Sequence, residues 1–147
     1  MKKLFFLVLI LTFFPTFVNS DDTFLSLKKD KVNVRYGPGF DYEVKYIYRK
    51  KNLPLKVVDK KENFRKIIDI KKNNGWIHIS QLKKSKSFIV TKDKILFNKP
   101  TLFSKPIAKV QKGRLLVYKN CIKEWCNVKT DKFIGWVSTE NIWGKIR

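Results

Sequence analysis

The chain has 147 residues, of which 33 are lysine or arginine and 12 are aspartate or glutamate, giving a formal net charge of +21. It contains a single histidine, His78, and two cysteines, Cys121 and Cys126. These are too few for a structural zinc site, and any Cys-His or Ser-His-Asp catalysis would have to use that one histidine. We expect no enzymatic activity, no metal and no cofactor.

The N-terminal segment has the pattern of a secretory signal peptide. Lys2 and Lys3 give it a positive start, an apolar run follows at 4–18 with Pro15 near its end, and Ser20 closes a short cleavage region. The run is shorter than the roughly 20 residues that a membrane-spanning helix needs. We expect cleavage after Ser20 and export to the periplasm or the exterior. An uncleaved anchor is the alternative.

The positive charge persists after the signal peptide. Loss of Lys2 and Lys3 leaves 31 basic residues against 12 acidic ones, a net charge of +19. A field of this size attracts polyanions. Most of the basic residues are lysine, however, whereas planar recognition of phosphate is usually built from arginine. The charge therefore has three possible explanations. It serves a specific anionic ligand, it gives a general attraction to anionic surfaces, or it is a solvated lysine coat that reflects coding bias.

The residues that follow predict a small β-structure. Val32 and Val34 alternate with polar residues, as in a half-buried strand, and 36–39 turn the chain. The chain has one alanine, and no long window shows a helical period, so helix is not expected. Five short strands are predicted in this half, at 32–34, 44–48, 53–58, 64–70 and 76–79. Five strands joined by tight turns suit a small barrel, which leaves few exposed sheet edges.

The second half repeats the first. Pro100 corresponds to Pro38, and Gly135 corresponds to Gly75, at offsets of 62 and 60 residues, with a basic run at 83–87 between the halves. A period of this length indicates two duplicated modules and not a solenoid of many thin repeats. We predict domains at 21–83 and 88–147.

Cys121 and Cys126 lie at opposite ends of a predicted hairpin in the second module. Export to an oxidising compartment favours a disulfide between them, and hairpin ends can meet the short Cα separation that the bond requires. A redox-active pair is the alternative, although such pairs usually have the closer Cys-x-x-Cys spacing.

The sequence Val-Asn-Val-Arg-Tyr-Gly-Pro-Gly at 32–39, with Gly-Trp-Ile at 75–77, resembles the bacterial SH3 (SH3b) domain. The resemblance covers 24–82 closely and 89–143 more loosely, as in secreted two-repeat SH3-like proteins of alphaproteobacteria. In the second module Leu-Phe-Asn-Lys-Pro at 96–100 replaces Val-Arg-x-Gly-Pro. The resemblance implies an all-β chain of two tandem SH3-like barrels that binds cell-wall peptide or glycan, or an envelope protein.

Aromatic residues near the Gly-Pro-Gly corner are the candidates for a ligand surface. Arg35, Tyr36 and Tyr42 flank this corner, and tyrosine offers a flat face with a polar end that suits sugar or peptide contact. We predict a ligand-binding groove there. Trp76 and Trp136 follow glycine turns and are expected to pack into the two cores, while His78 is expected to pack beside an aromatic ring.

Three classes of function remain. The first is a non-enzymatic periplasmic module that binds peptidoglycan or an envelope protein. The second is a factor that acts through its charge on anionic lipid or polysaccharide, which strong salt sensitivity would reveal. The third is an enzyme or a nucleic-acid binder. Small barrels do bind nucleic acid, but export removes the ordinary substrate, so no nucleic-acid partner is expected.

Overall fold

The computed structural model describes residues 23–146, so the predicted signal peptide at 1–20 lies outside the described residues. This part of the chain consists of short β-strands with a single one-turn 3-10 helix, Ile79–Gln81. The all-β prediction is confirmed. Among the same residues, no helix is long and apolar enough to cross a membrane.

The first module is one antiparallel sheet of seven strands. They are β1 (Phe24–Leu27), β2 (Val32–Arg35), β3 (Val44–Tyr48), β4 (Pro54–Lys61), β5 (Phe64–Ile68), β6 (Asn74–His78) and β7 (Leu82–Lys84). Their order in the sheet is β3-β2-β6-β5-β4-β1-β7. The predicted five strands omitted β1 and β7. These strands are only four and three residues long, and they become strands by pairing with each other and, for β1, with β4.

The second module repeats this topology strand for strand. Its strands are β8 (Ser87–Val90), β9 (Lys94–Phe97), β10 (Pro106–Val110), β11 (Leu115–Ile122), β12 (Trp125–Lys129), β13 (Ile134–Ser138) and β14 (Ile142–Trp143). They are arranged as β10-β9-β13-β12-β11-β8-β14. Each strand therefore takes the place of the strand seven positions earlier, which establishes the duplication at the level of topology.

Each sheet bends around its own apolar core. The first core consists of Leu27, Val32, Val34, Leu55, Ile67, Ile77 and Leu82. The second consists of Phe88, Val90, Leu96, Val110, Leu116, Tyr118, Cys126, Val128 and Val137. Because six strands of each sheet contribute inward side chains to one cluster, the strands must wrap around it.

The two tryptophans after the glycine turns lie outside these cores, so the prediction for Trp76 and Trp136 is wrong. Along β6 the inward residues are Gly75 and Ile77, both buried, and the intervening Trp76 is half-buried on the outer face. The second module has the same pattern in β13. Gly75 is needed inward because a Cβ at that position would clash with the side chain of Val34.

The segment between the modules is packed between them. Ser85 and Ser87 are almost fully buried, as is Ser26 of β1. The Ser26 and Ser85 hydroxyl oxygens are 2.8 Å apart, and Ser87 Oγ donates a hydrogen bond to the carbonyl oxygen of Asn52 at 2.6 Å. This hydrogen-bonded serine cluster joins the two sheets, since buried hydroxyls need partners and each finds one in the adjoining module or the segment itself.

Candidate ligand-binding groove

Arg35 holds the loop that turns at the Gly-Pro-Gly corner. Its Nη1 atom donates hydrogen bonds to the carbonyl oxygens of Phe40 at 3.3 Å and Tyr42 at 2.7 Å. Its Cζ atom also lies 5.4 Å from the centroid of the Phe40 ring. The backbone N–H of Tyr36 donates to the carbonyl of Glu43 at 3.1 Å and closes the base of the loop. These contacts tie the loop 36–43 to the end of β2, and within the described residues 23–146 the Nε and Nη2 donors of Arg35 form no hydrogen bond.

The two predicted tyrosines lie on this loop and are exposed. The ring of Tyr42 packs over Gly37, where any Cβ would overlap the ring, and this contact explains the glycine. Tyr36 is 62% exposed, and the ammonium group of Lys45 lies 5.6 Å from its ring centroid. Lys45 in turn donates to the carbonyl oxygen of Asn74 at 3.0 Å. Tyr36 and Tyr42 thus present ring surface to solvent on either side of the corner.

Three rings meet beside Arg35. Phe40, from the loop, lies 5.2 Å from Phe64 and 5.1 Å from His78, measured between ring centroids, and Phe64 lies 5.1 Å from His78. The groove that they border has a volume of about 280 Å³, and Lys31 and Arg35 are among its other lining residues. We call this the aromatic groove. It combines flat ring surface with two cationic side chains.

The imidazole of His78 is oriented by Ser80. Its Nδ1 atom accepts a hydrogen bond from the backbone N–H of Ser80 at 3.3 Å and lies 2.8 Å from the Ser80 hydroxyl. A neutral ring that accepts at Nδ1 carries its proton on Nε2. His78 does pack beside aromatic rings as predicted, and the rings are those of Phe40 and Phe64.

The sequence located the corner but missed most of the groove. The structure brings Arg35, Tyr36 and Tyr42 together at one loop, and of these Arg35 lines the aromatic groove. Phe40 and Phe64 were not predicted. Phe40 directly follows the corner, which is the one available signal, but its contact with Phe64 depends on how the loop folds over the ends of β5 and β6.

The equivalent groove in the second module differs in chemistry. Strand register places Phe97 where the first module has Arg35, because these residues pair with Trp136 and Trp76 respectively. Phe97 packs edge-on against Trp125, with ring centroids 5.7 Å apart. Trp125 and Glu124 are among the residues that line a groove of about 310 Å³. Among the described residues 23–146 no arginine anchors this loop, and Phe103 at its tip is 99% exposed.

The predicted disulfide is confirmed. Cys121 and Cys126 are bonded, face each other across β11 and β12, and have Cα atoms 4.0 Å apart. Residues 23–146 include no free cysteine and no group of three or more His, Cys, Asp or Glu side chains that could hold a metal ion.

A family model described as the bacterial SH3 domain matches residues 28–84 and 92–144, once in each module. Because these matches cover more than half of the chain, the chain belongs to the bacterial SH3 domain family. Members of this family are cell-wall binding modules and occur in envelope or secreted proteins. The resemblance identified from the 32–39 motif is confirmed.

Comparison with curated proteins finds none that matches this chain. Similar solved structures include NlpC2 from Trichomonas vaginalis, at 14% identity and a TM-score of 0.38, covering 84% of this chain and 48% of that one. NlpC1 from the same organism has 13% identity and a TM-score of 0.38, covering 84% and 46%. The chain spans about half the length of each.

Proposed function

We propose that this chain is a non-enzymatic binding protein of the cell envelope, exported by residues 1–20 with cleavage after Ser20. Its two binding modules, at 21–83 and 88–147, follow the signal peptide. The aromatic groove of the first module binds a segment of peptidoglycan or of an envelope protein. One observation carries this proposal: Phe40, Phe64 and His78 form a ring cluster directly beside the guanidinium of Arg35.

The chemistry of the aromatic groove suits a wall fragment. Aromatic faces pack against sugar rings and apolar side chains, and cationic groups pair with carboxylates. Peptidoglycan offers sugar rings and peptide carboxylates close together. Lys31 and the unused Nε and Nη2 donors of Arg35 would pair with the carboxylates, while Phe40 and Phe64 would contact the apolar part. Tyr36 and Tyr42 would extend the contact surface along the loop.

The second candidate function is attraction of the whole protein to anionic lipid or polysaccharide. The net charge of +19 expected after export favours it. So does the tip of the second-module loop, where Leu102 and Phe103 are 70% and 99% exposed and lie between Lys99 and Lys105. Exposed apolar side chains flanked by lysines are suited to an anionic surface.

The test is retention of the protein on purified peptidoglycan sacculi at about 0.05 M and about 0.5 M salt, since salt screens exposed charges. We expect retention at both concentrations. Phe40→Ser should reduce retention at high salt several-fold. Because Phe40 is 67% exposed, the variant should still fold, which its thermal transition will verify.

The matched control is Phe103→Ser, the same substitution at the tip of the second-module loop. It should leave sacculus retention at high salt unchanged. Release of the wild type by salt, with both variants alike, would favour charge-driven binding. Absence of retention at both salt concentrations would contradict wall binding, and a pull-down with envelope proteins would then test the protein partner.

A further inference from the structure

We propose that the second module has a ligand site of its own, in a cavity beside β10. The ligand class is an aromatic ring next to a carboxylate, either as a small aryl carboxylate or as the C-terminal aromatic residue of a peptide. This cavity shares no lining residue with the aromatic groove. The proposal does not depend on the function proposed for that groove.

Strand register identifies the corresponding residues of the two modules. The opposed pairs are Val34–Tyr46 and Val32–Tyr48 across β2 and β3, and Leu96–Ala108 and Lys94–Val110 across β9 and β10. Ala108 therefore occupies the position of Tyr46, and Val110 occupies the position of Tyr48. Two phenol rings of the first module are replaced by a methyl group and an isopropyl group in the second.

In the first module the two tyrosines fill the space over the β5–β6 turn. Their rings pack edge-on with centroids 5.2 Å apart, and the Tyr48 hydroxyl donates a hydrogen bond to Asp69 Oδ2 at 3.0 Å. The buried Asp69 carboxylate also accepts from the backbone N–H of Asn73 at 2.9 Å. Rings, carboxylate and turn form one closed and fully hydrogen-bonded unit.

The second module has a turn one residue shorter at this place, 130–133 against 69–73, and lacks the rings. Thr130 Oγ1 accepts from the backbone N–H of Phe133 at 3.0 Å, which corresponds to the bond between Asp69 and Asn73. Without the phenols, a cavity of about 380 Å³ remains, with Ala108 and Val110 among its apolar lining residues. This volume lies in the range of small-molecule sites. The second module thus leaves open the space that two aromatic rings occupy in the first module.

The rim of the cavity favours an anion. Its lining residues include three cations, Lys109, Arg114 and Lys132, and one carboxylate, Asp131. Lys109 pairs with Asp93 and Arg114 pairs with Asp131, each at 2.9 Å, whereas Lys132 forms no ion pair within the described residues 23–146. The ring of Phe133 is 42% exposed on the same rim. A ligand ring can therefore enter against the apolar floor and Phe133, while its carboxylate pairs with Lys132.

The experiment is a titration of the intact two-module protein followed by ¹H–¹⁵N NMR. The probes are N-acetylphenylalanine, its uncharged amide, and phenylacetate. We expect saturable shifts centred on Ala108, Val110 and Phe133, and binding about tenfold weaker for the amide, the loss of one charge-assisted contact. Tighter binding of N-acetylphenylalanine than of phenylacetate would identify a peptide C terminus as the source. The reverse order would identify a small aryl carboxylate.

Two variants test the location of the site. Ala108→Tyr restores the first-module side chain, fills the cavity and should abolish saturable binding. Lys132→Gln changes only the rim, so it keeps the test valid if Ala108→Tyr does not fold, and it should weaken binding several-fold. Lys105→Gln, in the adjacent loop, is the matched control and should bind as the wild type does.

Four results would overturn the proposal: no saturable shifts around the cavity, equal binding of acid and amide, unchanged binding in folded Ala108→Tyr, or unchanged binding in Lys132→Gln. The variants at Ala108 and Lys132 should retain the wild-type affinity for sacculi. Failure of this site is therefore separable from failure of the aromatic groove.

Discussion

The indole N–H of Trp143, in the last strand of the second module, donates a hydrogen bond to the carbonyl oxygen of Pro54 in the first, at 3.1 Å. The same ring packs edge-on against Phe24 at 5.3 Å, and the ammonium group of Lys72 lies 5.6 Å from its centroid. One side chain thus contacts three residues of the other module. Together with the serine cluster, this contact makes the modules a docked pair.

Replacing Trp143 by alanine should loosen this docking. The change removes a large ring from the interface and leaves the Pro54 carbonyl without its donor, so we expect a loss of about 3 kcal/mol in unfolding free energy. Calorimetry should show one cooperative transition for the wild type and two for the variant. Trp143→Phe keeps most of the packing and should lose about 1 kcal/mol. An unchanged single transition in Trp143→Ala would show that the docking lies elsewhere.

The features that the sequence predicted are those with local signals. Val32 and Val34 alternate with polar residues within a few positions, and the cysteine pair spans a single hairpin. Duplication was visible because turn residues recur at a nearly constant offset. The strand and hairpin signals lie within one strand or one turn, where residue spacing determines geometry directly, and the repeat needs only a comparison of the two halves of the chain.

The features that the sequence did not predict depend on contacts between distant segments. β1 and β7 pair with each other across more than fifty residues, and nothing in their short sequences indicates this. Trp76 faces outward because the adjacent Gly75 lies inward against Val34, where any Cβ would clash with the valine side chain. Phe40 reaches the aromatic groove from a loop whose carbonyl oxygens accept hydrogen bonds from Arg35. Residue spacing within one strand does not specify which distant segment that strand will pair with or pack against.

Removal of the disulfide should destabilise the second module selectively. By the loop-entropy estimate, closing the six-residue segment 121–126 contributes about 2 kcal/mol. We expect Cys121→Ser with Cys126→Ala to lower the unfolding free energy by about this amount, measured by urea denaturation. Because Cys126 is fully buried, alanine is the smaller perturbation there.

The control is the wild type under reducing conditions, which should unfold at the same urea concentration as the double variant. A double variant as stable as the oxidised wild type would contradict the expected contribution.

The Tyr48 hydroxyl should make the first module sensitive to alkaline pH. Burial is the largest cause that raises the pKa of Tyr48 above its usual value of 10.0, and the hydrogen bond with Tyr46 is the second. Because the pKa of Tyr48 is higher in the folded state than in the unfolded state, the neutral hydroxyl stabilises the fold fully below about pH 10. This contribution is lost as the pH rises beyond that value. Tyr48→Phe cannot ionise, and near pH 7 it should be about 1 kcal/mol less stable than the wild type through loss of the bond to Asp69.

The measurement for Tyr48 is urea unfolding of both proteins at about pH 8 and about pH 11. The stability difference between them should shrink at the higher pH, because only the wild type loses the tyrosine contribution. Lysine deprotonation affects both proteins and cancels in the comparison. A difference that stays constant with pH would contradict the raised pKa as a source of stability.

Lys94 occupies the inner position of β9 that Val32 holds in β2, and replacing it by valine should stabilise the second module. Burial lowers the pKa of Lys94, against the opposing attraction of Glu140, and its Nζ atom donates to Ser138 Oγ at 3.1 Å. A lowered folded-state pKa means that the charged lysine opposes folding at neutral pH, and that this cost is relieved as the pH rises toward the usual value of 10.5. Because Lys94 is only partly buried, solvent screens most of this cost, so the gain of about 1 kcal/mol that we expect for Lys94→Val at pH 7 comes chiefly from the apolar packing that valine adds, measured by thermal or urea unfolding. Lys92→Val, at an exposed position two residues away, is the matched control and should change stability by less than about 0.5 kcal/mol. A clear loss of stability in Lys94→Val would mean that the bond to Ser138 outweighs the desolvation of the ammonium group.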